Sequence, residues 1–109
     1  AYDIPCQFRY FECLPGGYST LEYHEHTHMV MIFRGKGQLL LGDEVHDVAS
    51  GDFIEIPGKT IHQFRANKGD YIGFLCLVNQ ERDKVKLLSP EEMDGLRANP
   101  KIKEFLESC

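Results

Sequence analysis

Short hydrophobic runs, broken by glycine, proline and polar residues, fill most of this 109-residue chain. The breaks recur about every 8 to 12 residues, which is the rhythm of an all-β sandwich or barrel. The stretch FRYFECL over residues 8–14 alternates between apolar and polar positions, as a strand with one buried face does. Almost no helical period appears before residue 88, and we count about eight strands.

Three stretches in the middle of the chain predict how these strands connect. The run HMVMIF over 28–33 is apolar at both parities, which is typical of a strand covered on both faces. The segment RGKG over 34–37 is predicted to be a glycine turn that leads into a strand, QLLL. The residues GDE over 42–44 then indicate a hairpin.

The end of the chain changes to a helical pattern. The sequence SPEE from Ser89 has the features of a capping box, and NP at 99–100 repeats the start signal. We therefore divide the chain into a β-barrel over 1–88 and a tail of two short helices over 89–109. The apolar stripe of the last helix must dock on its own barrel or on a partner subunit. It consists of Ile102, Phe105 and Leu106.

Composition and charge limit the functions that the chain can have. Its formal net charge of −5 and pI near 5.5 argue against nucleic-acid binding, which needs clustered lysine and arginine. No apolar run approaches the roughly 20 residues of a membrane span, and the start AYDIPCQFRY lacks the features of a signal peptide. The four cysteines form no CxxC pair, so we expect reduced thiols and a cytoplasmic protein.

A histidine cluster is the first sign of chemistry. In LEYHEHTHMV, Glu22, His24, His26 and His28 stand at alternate positions. On a β-strand, residues two apart share a face, so these side chains could converge. Imidazole and carboxylate groups together bind divalent transition metals such as Mn, Fe, Zn or Ni. Surface histidines on an edge strand are the alternative interpretation of this stretch taken by itself.

A second stretch, GDFIEIPGKTIH, favours the metal. Gly51 is followed by Pro57 and then by His62. Together the two stretches resemble the cupin superfamily, whose motifs read roughly G-x5-H-x-H-x3,4-E-x6-G and G-x5-P-x-G-x2-H-x3-N. The second motif differs here at two positions, because its inner glycine is displaced to Gly58 and Ala66 replaces its closing asparagine.

The resemblance also implies a ligand set. When the first motif is aligned on Gly35, His28 takes the place of the motif glutamate. His24 then matches the second motif histidine, and Glu22 matches the first. The implied metal ligands are therefore Glu22, His24 and His28 together with His62. An in-line set of His24, His26 and His28 stays open as the alternative.

For the fold, the resemblance implies a jelly-roll β-barrel, or double-stranded β-helix, with its site inside the barrel. Alternate residues of YIGFLCLV would face that site if their parity points inward: Ile72, Phe74, Cys76 and Val78. Cys76 is then a candidate catalytic thiol, although a small buried hydrophobe is the usual role of a free cysteine. Phe64 would wall the cavity, whereas Arg65 would point away from it and could pair with an acid or hold an anionic substrate.

These features predict a metalloenzyme that acts on a small polar molecule by isomerase, lyase, C–S bond or dioxygenase chemistry. The strings PGGYSTLE, HEHTH and GFLCLV further resemble small stand-alone cupins, including the 1-methylthioxylulose 5-phosphate sulfurylases. That resemblance would give Cys76 a role beside the metal. A barrel that binds or senses a small ligand without turnover, and a metal-storage barrel, are the alternatives. We also expect a homodimer and no nucleic-acid or membrane partner.

Overall fold

The computed structural model describes residues 6–79 and 86–107, which form eight β-strands and two α-helices. The strands are β1 Cys6–Cys13, β2 Glu22–Tyr23, β3 His28–Leu41, β4 Glu44–Ala49, β5 Phe53–Ile56, β6 His62–Ala66, β7 Ile72–Asn79 and β8 Lys86–Leu87. The helices are α1 Pro90–Arg97 and α2 Pro100–Glu107. The predicted strand count and the two C-terminal helices are therefore confirmed.

All pairs among the described strands are antiparallel, and most of them involve the long strand β3. The order is β1-β7-β3-β6-β2-β8, and β4 and β5 also pair with β3. The first half of β3 pairs with β7 and β5, whereas its second half pairs with β6 and β4. One strand thus belongs to two sheets, and the sheets enclose a common interior. This arrangement confirms the predicted all-β jelly-roll barrel.

The segment 34–37 was predicted to be a turn, and that prediction is wrong. It lies inside β3, which passes through it with a register shift between Ile32 and Arg34. Gly35 has a φ of 84°, and a Cβ there would collide with the carbonyl oxygen of Tyr71. Glycine therefore lets the strand bend from one sheet into the other without ending.

The run HMVMIF is covered on one face, which corrects the prediction of a strand buried on both. Val30 and Ile32 are 1% exposed and face the interior. Phe33, in contrast, is 56% exposed on the outer face. The hairpin predicted at 42–44 is present, because β3 and β4 pair directly across it.

The two helices close one side of the barrel with a second apolar core. Leu40 from β3 is fully buried with Ile102 and Phe105 from α2. Helix α1 begins with the expected capping box, in which the Glu92 N–H donates to Ser89 Oγ at 3.2 Å. The tail thus docks on its own barrel, and the boundary between 1–88 and 89–109 as separate units stays a prediction.

Arg65 belongs to this helix-covered side and does not lie at the rim of the cavity. It is 7% exposed, and its guanidinium donates a hydrogen bond to the Leu106 carbonyl oxygen at 2.9 Å. The aromatic rings of Tyr18 and Phe105 lie against it. The expected direction, away from the cavity, is correct, but its surroundings are the tail helix and not a substrate pocket. Within residues 6–79 and 86–107, neither helix has the length and apolar character needed to span a bilayer.

Candidate metal site

A cavity of about 630 Å³ lies between the sheets of the barrel, within the size range of small-molecule sites. One end is polar and is lined by Glu22, His24, His28 and His62. The wall is mostly apolar and consists of Val30, Ile56, Phe64, Phe74, Cys76 and Val78. The remaining lining residues are Arg9, Phe11, Glu12, Cys13, Tyr18, Ser19 and Thr20. Phe74, Cys76 and Val78 of the predicted inward face of β7 line the cavity, as does Phe64, whereas Ile72 is buried in the core and is not among the lining residues.

The four expected ligands reach the polar end from different elements and not from one strand. Glu22 lies on β2 directly opposite His62, the first residue of β6. His24 follows β2 in a loop, and His28 is the first residue of β3. The alternation in the sequence therefore does not reflect a continuous strand. A bend between β2 and β3 brings His24 and His28 to the same place.

Three of these side chains form a compact group. One ligand atom each from Glu22, His24 and His62 lies within 4.8 Å of the other two. Glu22 Oε1 and His24 Nε2 are 3.1 Å apart. Metal bonds of about 2.0–2.2 Å place two ligands of one ion about 3–4 Å apart, so the group needs only a small contraction to share an ion.

His28 adjoins this trio through ring contacts. Its imidazole stacks on that of His24 with ring centroids 4.0 Å apart and an interplanar angle of 24°. The His24 ring lies in turn 4.8 Å from the His62 ring. Three imidazoles are therefore packed together at the end of the cavity, where His28 needs a change of ring orientation to join the trio as a fourth ligand.

The lowered pKa values of His28 and His62 suit the binding of a cation. Burial, followed by the neighbouring His24 and His62, lowers the pKa of His28 from 6.5 to about 4. Burial likewise lowers the pKa of His62. His62 Nδ1 lies 2.9 Å from the Thr60 carbonyl oxygen, which can only accept, so the neutral ring carries its proton on Nδ1. Its Nε2 lone pair is then available, which is the form that binds metals.

The turn between β5 and β6 fixes the loop that carries His24. The Lys59 N–H donates to the His24 carbonyl oxygen at 2.5 Å. A Cβ at Gly58 would collide with the carbonyl oxygen of Glu25, so only glycine allows the turn to approach this closely. Lys86 also forms an ion pair with Glu25. The displaced glycine of the second motif thus has a structural reason in this chain.

His26 occupies a different position from the other histidines. It is exposed in the loop between β2 and β3 and is absent from the cavity lining. His46, in β4, is exposed as well. The structure therefore brings together the set Glu22, His24, His28 and His62 and leaves His26 outside it.

Cys76 faces the cavity in an apolar environment. It is 9% exposed, and burial raises the pKa of its thiol to about 12, against a smaller lowering by the charge of Arg9. At neutral pH the thiol is therefore protonated. A protonated thiol is a weak nucleophile but can donate its proton. A bound cation nearby would lower its pKa and make it more nucleophilic.

Arg9 is a cavity residue that the sequence analysis missed. It lies on β1 directly opposite Cys76 on β7. The alternation of FRYFECL contains the signal, because Arg9 has the same parity as Phe11 and Cys13, which also line the cavity. The serine and threonine at 19 and 20 could not be found this way, since they lie outside any strand.

Comparison with known proteins identifies the family of this barrel. A family model described as a cupin domain matches residues 9–78. The chain is also 48% identical over 101 residues to 1-methylthio-D-xylulose 5-phosphate methylsulfurylase of Rhodospirillum rubrum. That alignment covers 93% of this chain and 65% of the relative, so the chain spans just under two thirds of the relative's length.

Two crystal structures have the same fold. A cupin 2 conserved barrel domain protein from Rhodopseudomonas palustris superposes with a TM-score of 0.91 at 51% identity, over 94% of this chain and 71% of that chain. A cupin-2 domain protein from Rhodospirillum rubrum gives a TM-score of 0.95 at 44% identity, over 99% and 73% of the two chains. The jelly-roll architecture deduced from the sheet topology agrees with both.

Proposed function

This chain belongs to the cupin family, and from that premise we propose that it is a metal-dependent enzyme acting on a small polar molecule. The metal would be one divalent transition ion, Mn, Fe, Zn or Ni, held by Glu22, His24, His28 and His62. The observation that carries this proposal is the convergence of imidazoles and a carboxylate in one cavity.

We propose further that the reaction cleaves a C–S bond of a phosphorylated thioether. The support is the relative of 48% identity that is named 1-methylthio-D-xylulose 5-phosphate methylsulfurylase. A divalent ion would supply Lewis-acid polarisation of a substrate carbonyl oxygen. The apolar wall of the cavity would exclude water from the reacting atoms, and this strengthens polar interactions at its inner end.

Cys76 is the candidate catalytic residue in this proposal. Its Sγ holds a proton inside the cavity, on a strand adjacent to the one that begins with His28. A substrate bound to the ion would therefore bring its sulfur or its reacting carbon near this thiol. In a balanced step, an external thiol would attack the substrate sulfur and form a methyl disulfide, the C–S bond would break, and the enolate left on carbon would take the Cys76 proton. A second thiol would then reduce the methyl disulfide and release methanethiol.

The test uses the purified chain loaded separately with each of the four metals. It is incubated with 1-methylthio-D-xylulose 5-phosphate and a dithiol, because reductive cleavage of a C–S bond takes up two electrons. Loss of the S-methyl proton signal of the substrate is followed by NMR. We expect turnover by the wild-type chain and by His46→Ala, and none by His62→Ala or Cys76→Ser.

Metal content separates the two inactive variants. We expect Cys76→Ser to keep its metal and His62→Ala to lose it. A wild-type chain that binds none of the four metals, with all four ligand residues intact, would contradict the metal site. A metal-loaded chain that leaves the thioether unchanged would contradict the proposed reaction alone.

A ligand-binding cupin without turnover is the second candidate function. The observation that favours it is the buried thiol, whose high pKa makes it inert at neutral pH. In that case Cys76→Ala leaves ligand affinity unchanged, and no substrate is consumed at any metal loading. The same NMR experiment therefore decides between the two candidates.

We also propose that the chain forms a homodimer through the outer face of the sheet around β7. Tyr10, Leu75, Met31 and Phe53 form one cross-strand row on that face. Phe53 is 70% exposed and Phe8, in the next row, is 75% exposed. A patch of exposed apolar side chains this dense is typical of a protein interface. Light scattering should give a dimer mass for the wild type and a monomer mass for Phe53→Glu, and a monomeric wild type would contradict the proposal.

The cytoplasmic location expected from the sequence is likewise a proposal. Its support is that Cys6, Cys13 and Cys76 are free thiols, as is usual in a reducing compartment. Cell fractionation of the source organism would test it, and recovery from a secreted or membrane fraction would contradict it.

A further inference from the structure

Arg9 carries the one permanent positive charge among the described residues that line the cavity. Its side chain is exposed, and its guanidinium lies over the Phe11 ring at 4.9 Å from the centroid. A stacked guanidinium is held in place by its flat face, and its N–H edge stays available for hydrogen bonds. The sequence alone gave this residue no role.

The carboxylates of the cavity are already engaged with other groups. Glu12 accepts a hydrogen bond from the Tyr10 hydroxyl at 2.8 Å and lies 3.7 Å from Arg34 Nε. Glu22 lies beside His24 at the candidate metal group. Within residues 6–79 and 86–107, no carboxylate forms an ion pair with Arg9. The cavity therefore presents a cation that no described acidic side chain neutralises.

The register of the strands places Arg9 at a defined separation from the candidate metal group. Arg9 pairs with Cys76, and Cys76 pairs with Val30, two residues after His28 on β3. Two strand spacings and a two-residue offset put the Cα atoms of Arg9 and His28 roughly 12 Å apart across the sheet. Both residues line the same cavity, so one small organic molecule bound there can contact both side chains.

We propose that Arg9 is the residue that recognises the phosphate monoester of the substrate, at the opposite end of the cavity from the metal group. This inference rests on the proposed function, because it takes the metal group as the anchor of the other end. Arginine presents a fork of N–H donors that matches two phosphate oxygens at once, and these charge-assisted bonds are the strong ones. The thiol of Cys76 then lies between the two anchors, beside the carbon chain of the bound molecule.

The first experiment needs no turnover. Inorganic phosphate is titrated calorimetrically into the metal-free chain, so that no metal ion can bind the phosphate. Arg9→Gln should weaken phosphate binding by about 10- to 100-fold, since a charged hydrogen-bonding partner is lost. Arg9→Lys keeps the charge but loses the paired N–H donors, so its phosphate affinity should lie between those of the wild type and Arg9→Gln. The control Arg97→Gln removes an exposed charge of the same type from helix α1 and should change nothing.

A second arm tests the class of anion. Acetate replaces phosphate at the same ionic strength, and we expect it to bind more weakly, with a smaller loss in Arg9→Gln. Equal phosphate affinity in the wild type and Arg9→Gln would overturn the inference, and so would acetate binding as tight and as dependent on Arg9 as phosphate binding.

The kinetic arm distinguishes this inference from the proposed function. With the phosphorylated thioether, Arg9→Gln should raise KM by about 10-fold or more and change kcat less, as expected for lost binding. Phosphate binding that depends on Arg9 without turnover means that the proposed reaction fails and the inference holds. Turnover with the same KM in the wild type and Arg9→Gln means that the proposed reaction holds and the inference about Arg9 fails.

Discussion

The barrel has two buried regions that are built on opposite principles. Beneath helix α2, Leu40, Ile102 and Phe105 exclude water with apolar side chains, and the buried Arg65 beside them is hydrogen-bonded to the Leu106 carbonyl oxygen. At the inner end of the cavity, His24 and His62 are buried to a similar degree, at 7% and 6% exposure, but they are polar. The first region stabilises the fold by about 1.5–3 kcal/mol for each large apolar side chain buried. The second carries a desolvation cost that only partners such as a bound cation offset.

The difference teaches where function lies in this fold. A region that only stabilises the fold buries mainly apolar side chains, and a buried polar group there needs a hydrogen-bond partner. The cavity end instead keeps three imidazoles so close that burial and mutual repulsion hold two of their pKa values below the ordinary one. Perturbed titratable groups gathered in a cavity are a physical signature of a functional site.

Breaking the helix-covered region should have the largest effect on stability. Phe105→Ala leaves a void beside Leu40 and should lower the free energy of unfolding by about 3–5 kcal/mol. Urea denaturation measures the change, and Lys103→Ala, at an exposed position of the same helix, is the matched control with little expected effect. Metal affinity of the folded fraction should not change. A loss below 1 kcal/mol would mean that the tail is a separate unit and not part of the core.

Disturbing the loop of the cavity end should change metal affinity more than stability. Gly58→Ala forces the turn away from the Glu25 carbonyl oxygen and so moves the backbone that carries His24. We expect metal affinity to fall by about 10- to 100-fold, as for other changes in the groups that orient metal ligands. Gly95→Ala is the control, because a Cβ there has no atom within 4 Å. Unchanged affinity in Gly58→Ala would show that this turn does not position the ligands.

The smallest expected effect concerns pH and the metal-free chain. Because the pKa of His28 is about 4 in the folded chain and 6.5 otherwise, the unfolded chain binds more protons between these values. Stability should therefore fall as the pH is lowered from 6.5 towards 4, and only modestly, because His28 is partly exposed and solvent screens its charge. His28→Gln should make this dependence shallower. Thermal unfolding measures the stability of the wild type and His28→Gln at each pH. Identical pH dependence of stability in the two would contradict the lowered pKa of His28.

Much of the fold follows from local signals in the sequence. The turn and strand rhythm predicts eight strands, and the capping box at Ser89 predicts the start of α1 correctly. These features depend on neighbouring residues only, which is why a single sequence contains them. The grouping of His24 and His62 could be anticipated because motif spacing in a family reflects a conserved turn geometry, here the turn at 57–60.

The remaining features depend on contacts between distant segments. Gly35 and Gly37 resemble a turn in the sequence, but the structure needs glycine there because the Tyr71 backbone approaches Gly35 and the Arg65 backbone approaches Gly37. Arg65 was expected to meet an acid or a substrate, and only the docking of α2 reveals its burial. The role of Arg9 requires the register of β1 against β7, which the alternation of β1 alone does not specify.

The most direct test of the account is a crystal structure of the metal-loaded chain with the ion located by anomalous scattering. We expect one ion inside the cavity, bound at about 2.0–2.2 Å by a Glu22 oxygen and by ring nitrogens of His24, His28 and His62. An ion bound through His26 in place of His28, or a cavity without metal after equilibration with Mn, Fe, Zn and Ni, would contradict it.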